Sequence, residues 1–327
     1  MKMPSGKGWS MAIMTIAMLV PPVIASLLGH PSVAGALILP VLAGLLPAQM
    51  AGVRTGLAAA VGVAVASGAA VAVTGDALLG ALVMGVTSLA TGLACRWGRS
   101  KNLIIVIITV GFVVCAPPTV VSSNPSVNGL ALGTVTLAAA LWGVLVGWFN
   151  SKDAPQPPHN LESWARTWSY AVILAILAAI AAYVSIEIDW KHAGAWFILT
   201  IAVVFQPYLK DSLQRTWQRA AGTILGVVAA FLIHLVIPWH TALTILGFVL
   251  IMLSLFVMTN PRYPYWAFVT LLTPGIVLVA STADTFEQTN FARLIATLAG
   301  AGLAFVAELA LAPLYRASAK RHGHTDY

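Results

Sequence analysis

The side chains best placed to do chemistry are a few arginines and acids that interrupt long apolar stretches. The most specific stretch is residues 207–226, Pro-Tyr-Leu-Lys-Asp-Ser-Leu-Gln-Arg-Thr-Trp-Gln-Arg-Ala-Ala-Gly-Thr-Ile-Leu-Gly. Arg215 and Arg219 are four residues apart and share one face of a helix. Gly222 and Gly226 repeat that spacing and offer a face for close helix contact; the same spacing recurs at Gly129 and Gly133 and at Gly143 and Gly147. Two guanidinium groups at the edge of an apolar segment form a cationic mouth that concentrates organic anions. A purely topological role fits the same residues, with the basic side chains holding a loop on one side of a membrane. Arg54 likewise begins an apolar, glycine-bearing segment.

Three further ionisable groups lie within apolar segments. Glu308 sits inside the last one, where such residues are costly and mark function by default. It suits a carrier of a coupling proton, or a structural ion pair with Arg219 or Arg54. Arg293, near the opposite end of that segment, suits an anion path or a pair with Glu287 or Asp284. His234, one turn before Pro238, is the residue type that titrates near neutral pH, and a hydrogen-bonded packing role fits it too. Pro117 and Pro274 interrupt two more segments. Proline removes a backbone hydrogen bond, and in a bilayer the freed carbonyl needs a neighbour or a water-lined cavity. Breaks at matching places in two halves of a chain point to a transport site; a packing kink is the competing account.

These groups stand out because so little else is charged. Of 327 residues, 59% are apolar and 8% charged, against about 25% charged in an ordinary soluble protein. With a mean hydropathy of +0.90, the sequence excludes a water-soluble globule and a nucleic-acid partner. A helix needs about 20 apolar residues to cross a bilayer. Twelve candidate spans recur: 10–28, 32–49, 55–74, 77–95, 102–121, 129–149, 167–186, 193–208, 217–237, 240–258, 264–281 and 291–314. Lys2 and Lys7 before the first run resemble a signal peptide, and the run is read as an uncleaved helix. If the N-terminus is cytoplasmic, all but Lys191 and Arg293 of the 17 Lys and Arg fall on the cytoplasmic side, the asymmetry that fixes orientation. Both termini are then cytoplasmic.

The expected fold is therefore an all-α polytopic membrane protein of about 12 transmembrane helices. The longest polar interruption, a Pro-rich cytoplasmic linker at 151–166, separates a six-helix repeat at 1–150 from another at 167–315, and 316–327 forms a cytoplasmic tail. Ala34-Gly35-Ala36 followed by a run to Pro47 resembles Ala193-Gly194-Ala195 followed by a run to Pro207. Six spans per half predict parallel repeats enclosing a path between them. Cys95 and Cys115 read as small packing residues, neither a disulfide nor a metal pair. No P-loop, HExxH, CxxC or GxSxG motif occurs, so an enzyme, a metal centre and a cofactor are not expected.

The pattern Arg219-x-x-Gly222-Thr223-x-x-Gly226, after a proline and a basic turn, resembles the fusaric acid resistance-like, aromatic acid exporter superfamily. The final segment, Arg293-Leu-Ile-Ala-Thr-Leu-Ala-Gly300, resembles that family's last helix. The resemblance covers the second half of the chain. It implies an exporter or permease for small organic acids, chiefly aromatic ones, in the bacterial inner membrane and driven by an ion gradient. A passive anion channel or a non-transporting subunit of an envelope efflux complex are the alternatives. The expected substrate path is Arg54, Arg215, Arg219, Pro117, Pro274 and Arg293, with Glu308 and His234 as coupling candidates. The expected partners are the lipid bilayer and a small organic anion, with a homo-oligomer or a periplasmic adaptor subunit as the candidate protein partner.

Overall fold

A computed structural model describes residues 7–122, 124–150, 161–259, 262–280 and 285–322. Among these the chain is helical, with no strand. In chain order the α-helices are α1 (Lys7–Leu27), α2 (Pro31–Ala34), α3 (Ile38–Ala51), α4 (Val53–Ala72), α5 (Ala77–Leu93), α6 (Ser100–Cys115), α7 (Pro125–Asn150) and α8 (Trp164–Glu187). They continue with α9 (Lys191–Val204), α10 (Leu209–Val236), α11 (His240–Thr259), α12 (Tyr265–Ala280) and α13 (Phe286–His322).

Each predicted span falls on an apolar helix. Seven helices among the described residues are long and apolar enough to cross a membrane, and five more are apolar but shorter. The chain is thus a multi-pass helical membrane protein with seven candidate spans. The short helices account for the difference from twelve: the span expected over 102–121 stops at Cys115, and that over 193–208 stops at Val204. The Pro-rich stretch at 151–160 and the last five residues of the tail lie outside the described residues.

The chain divides into two compact units, Met1–Ile198 and Leu199–Tyr327. The first is built by backbone-to-backbone packing of small residues. A Cβ at Gly92 would lie 2.6 Å from Ala171 Cα, which brings α5 onto α8. Gly129 meets Gly68 and Ala72, joining α7 to α4, while Gly143 and Gly147 meet Val41 and Leu45 on α3. The glycine pairs singled out in the sequence are therefore helix contacts, as small residues are in lipid, where burial of apolar surface drives no association. The turn into α5 needs Gly75 at φ +96°, and Asp76 then caps the helix, accepting from Leu79 N–H at 2.9 Å. In consequence α8, expected in the second repeat, packs within the first unit.

The second unit holds α10 to α13. Helices α10 and α13 run antiparallel. His234 stacks on Phe286 with ring centroids 4.0 Å apart, Asn290 Nδ2 donates to the Val227 carbonyl at 3.3 Å, and Ser212 bonds Glu308 at the other end. Helix α12 packs against α10 and α11.

Candidate functional site

Gly222 and Gly226 determine how α12 approaches α10. A Cβ at Gly222 would lie 2.7 Å from the Trp266 carbonyl, and one at Gly226 would lie 2.6 Å from Thr273 Cβ. The second contact falls on the proline break: Pro274 has no N–H for the Thr270 carbonyl, and the α10 backbone passes beside that oxygen at Gly226. α12 remains helical through Pro274. Thr223, between the glycines, is fully buried, and its hydroxyl has no hydrogen-bond partner.

One turn before Gly222, this close approach sets Arg219 against Tyr265, the first residue of α12. Arg219 Nη1 donates to Tyr265 Oη at 3.2 Å. The Arg215 guanidinium lies 4.5 Å over the centre of the same ring, a cation–π arrangement. Arg293 reaches in from α13, within electrostatic range of both Arg219 and Tyr265. Arg219 is 2% exposed and Arg293 1%. Two of the arginines picked from the sequence, Arg215 and Arg219, thus meet on one tyrosine that the sequence did not single out, and the buried Arg293 feels the charge of the same group. Tyr265 reads in the sequence as one more aromatic near a span end, and nothing in its spacing marks it.

Arginine keeps its charge in proteins, and a buried charge is costly unless it is paired and hydrogen-bonded. Arg219 has a neutral phenol on one nitrogen and no partner on Nε. The buried guanidinium groups of Arg219 and Arg293 repel in a low dielectric. An oxyanion between them would turn that repulsion into short, charge-assisted hydrogen bonds. What the arrangement can do chemically is hold a small anion, with aromatic rings alongside; Phe268 lies 5.7 Å from Tyr265, centroid to centroid.

Glu308 is also buried, at 2% exposure. The Ser212 hydroxyl is its hydrogen-bond partner, and Thr216, one turn along α10, faces the same carboxylate. Ser212 also bonds the Val204 carbonyl at 2.9 Å and the Gln206 N–H at 3.1 Å. The carboxylate therefore belongs to a hydroxyl network at the start of α10. No ion pair to Glu308 is present among the described residues, and neither Ser212 nor Thr216 carried a sequence signal.

The remaining candidates lie elsewhere. Arg54 is exposed at the start of α4. Pro117 follows the end of α6, in a non-helical segment held by Asn128. Asn128 Oδ1 accepts from Val120 and Val121 N–H, and its Nδ2 donates to the Pro118 carbonyl at 2.9 Å. The backbone groups freed there are satisfied by a side chain, one of the ways a bilayer tolerates irregular structure. His234 is half-buried and stacks on Phe286. Cys95 and Cys115 are buried free thiols, and no cluster of metal-ligating side chains occurs among the described residues.

Residues 174–307 match the family described as fusaric acid resistance protein-like. The resemblance read from Arg219, Gly222, Thr223 and Gly226 is thereby borne out over that segment, which contains all three clustered arginines and Tyr265. Glu308 stands one residue beyond it. A match to a fusaric acid resistance-like segment supports a membrane transport or efflux role. A curated relative, "Uncharacterized protein ORF2" of Neisseria gonorrhoeae, is 31% identical over 187 residues. That alignment covers 57% of this chain and 42% of the relative, so the chain spans less than half of the relative's length. No solved structure matches the chain.

Proposed function

We propose that the protein is an inner-membrane exporter or permease for small organic acids, aromatic ones above all, driven by an ion gradient. It works by transport rather than by chemical conversion. The observation that carries this reading is the burial of Arg219, bonded to Tyr265, and of Arg293 inside one helical membrane unit. Intramembrane charge of this kind faces a bundle interior and marks an ion or substrate path. The guanidinium groups supply the recognition of a carboxylate, and Tyr265 and Phe268 supply aromatic surface beside it. Glu308, buried and bonded to the Ser212 hydroxyl, is the candidate carrier of the coupling proton. The excess of basic residues on one side of the chain supports cytoplasmic termini.

The test is a toxicity and efflux screen with organic acids in cells that express or lack the chain. Protection against aromatic carboxylates, lost with Arg219→Ala, supports the proposal. Sensitivity unchanged for every acid contradicts it. A current carried by the acid in planar bilayers without any imposed gradient of protons or sodium would instead identify a passive anion channel.

A further inference from the structure

The arginine cluster is not isolated along α10. Ser212, Thr216, Arg219 and Thr223 are spaced four, three and four residues apart, so they form one stripe, and all four are buried. The stripe continues through Gly226 and Ala230 to His234. From Ser212 to His234 it covers about 33 Å at the helical rise per residue, close to the thickness of a hydrocarbon core. The facing helix answers with Asn290, Arg293, Thr297 and Glu308, all buried, and α12 adds Thr273. An ordinary helix contact in lipid has no need of this many polar side chains. Several of them lack a hydrogen-bond partner: Thr223 Oγ1, Thr273 Oγ1, Asn290 Oδ1 and Arg219 Nε. Partnerless buried hydroxyls occur in the first unit as well, but here, among the described residues, they line up with buried charges, and such a row calls for a ligand or solvent that occupies it.

The row is closed at one end. Beyond Asn290, Ala230 packs with Leu243, Val277, Leu278 and Phe286 in an apolar cluster, and Phe286 covers His234. A buried polar row that ends in an apolar cluster is what a path with a hydrophobic constriction requires.

We propose that the path of the transported anion runs inside the second unit, between α10, α12 and α13, with the Phe286 cluster as its gate. This takes the place of the route between two halves that the sequence suggested, and it rests on the transport reading above. Water and small anions reach Thr223 and Thr273 through the path, and the guanidinium of Arg219 favours anions there.

Cysteine accessibility tests this without knowledge of the substrate. Cys95 and Cys115 are first replaced by Ala, and Thr223→Cys and Thr273→Cys are introduced one at a time in the full chain, reconstituted in vesicles. Ser67→Cys and Ser88→Cys serve as controls, because these hydroxyls are also buried and without partners but lie in the first unit, which has no buried Asp, Glu, Lys or Arg among the described residues. The reagents are small methanethiosulfonates of opposite charge, and labelling is read by mass. The expected result is reaction at 223 and 273 and none at 67 and 88. The anionic reagent should be faster than the cationic one by roughly tenfold or more, a preference within the range of electrostatic focusing and lost with Arg219→Ala. Phe286→Ala should raise the rate at both positions. Inert thiols at 223 and 273, or reaction equal to that at 67 and 88, would overturn the path. If these thiols stay inert while cells still export acids, the path is wrong and the transport reading stands. If they react while no acid is exported, the transport reading fails and the hydrated path stands.

Discussion

The α5–α8 and α4–α7 contacts of the first unit and the α10–α12–α13 contact of the second are made by the same device and filled with different chemistry. Both depend on small residues that let backbones touch: Gly92 on Ala171 and Gly68 on Gly129 in one, Gly222 on Trp266 and Gly226 on Thr273 in the other. In the first unit some buried hydroxyls fold back on their own helix, while Ser67, Ser88 and Thr167 have no partner. Thr87 donates to the Val83 carbonyl at 2.7 Å, Thr109 to Ile105 at 2.7 Å and Ser185 to Ala181 at 2.6 Å, the local bond that satisfies Ser and Thr in a helix. In the second unit, Thr223 and Thr273 make no such bond, and two arginines and a glutamate are buried among them. Arg54 and Arg219 show the same contrast in one residue type. Each begins an apolar segment, but Arg54 is exposed and Arg219 is not. Close helix packing is therefore general in this chain, and buried charge distinguishes the α10–α12–α13 interface.

The largest effect expected from breaking this contrast is on transport. Truncating a buried, hydrogen-bonded charge costs about 2–5 kcal/mol, so Arg219→Ala should reduce acid efflux roughly thirtyfold or more. Arg54→Ala, at an exposed position, should leave initial efflux rates close to wild type. Equal losses in the two variants would erase the distinction between the arginines.

Packing comes next. A Cβ at Gly143 would overlap the Val41 carbonyl, whereas nothing lies within 4 Å of a Cβ at Gly302. Overpacking costs about 1–3 kcal/mol and occasionally more, so thermal unfolding in detergent should show Gly143→Ala clearly destabilised and Gly302→Ala unchanged. Asn128→Ala should cost less, about 0.5–1.5 kcal/mol, by removing the side-chain hydrogen bonds to Val120 and Val121 N–H and to the Pro118 carbonyl. Urea or heat midpoints matching wild type would show that this side chain does not hold the segment after α6.

Much of the fold was legible because the physics of a bilayer is blunt. Among the described residues each apolar run falls on an apolar helix, seven of them long enough to cross a membrane, since apolar length and helix formation coincide in lipid. What the runs did not show was length. Pro117 ends α6 early, but Pro274 leaves α12 intact, and the two look alike in sequence. Grouping was less legible still: the stretch before Trp164 looks like a natural divide, but Gly85 and Gly92 draw α8 onto α5. At the site, Arg215 and Arg219 were visible as a helical pair. Tyr265 and Ser212 were not, because each acts through a contact made across 46 or 96 residues of chain, and no local spacing encodes such a contact.

The smallest expected effect sharpens the comparison most finely. Thr223→Val removes a hydroxyl without a partner and Thr87→Val removes one that is bonded. The first should leave stability unchanged or raised, and the second should lower it by about 0.5–1.5 kcal/mol. Efflux should move the other way, falling with Thr223→Val and holding with Thr87→Val. Calorimetric unfolding and vesicle efflux on the same two preparations separate these outcomes.

The central claim is that the buried arginine cluster, and no exposed basic residue, binds the anion. Isothermal titration of a panel of aromatic carboxylates, benzoate among them, into the purified protein in lipid nanodiscs tests it most directly. The account predicts saturable binding by the wild type and by Arg54→Ala, and none by Arg219→Ala. Undiminished binding by Arg219→Ala, or loss of binding with Arg54→Ala alone, would contradict it.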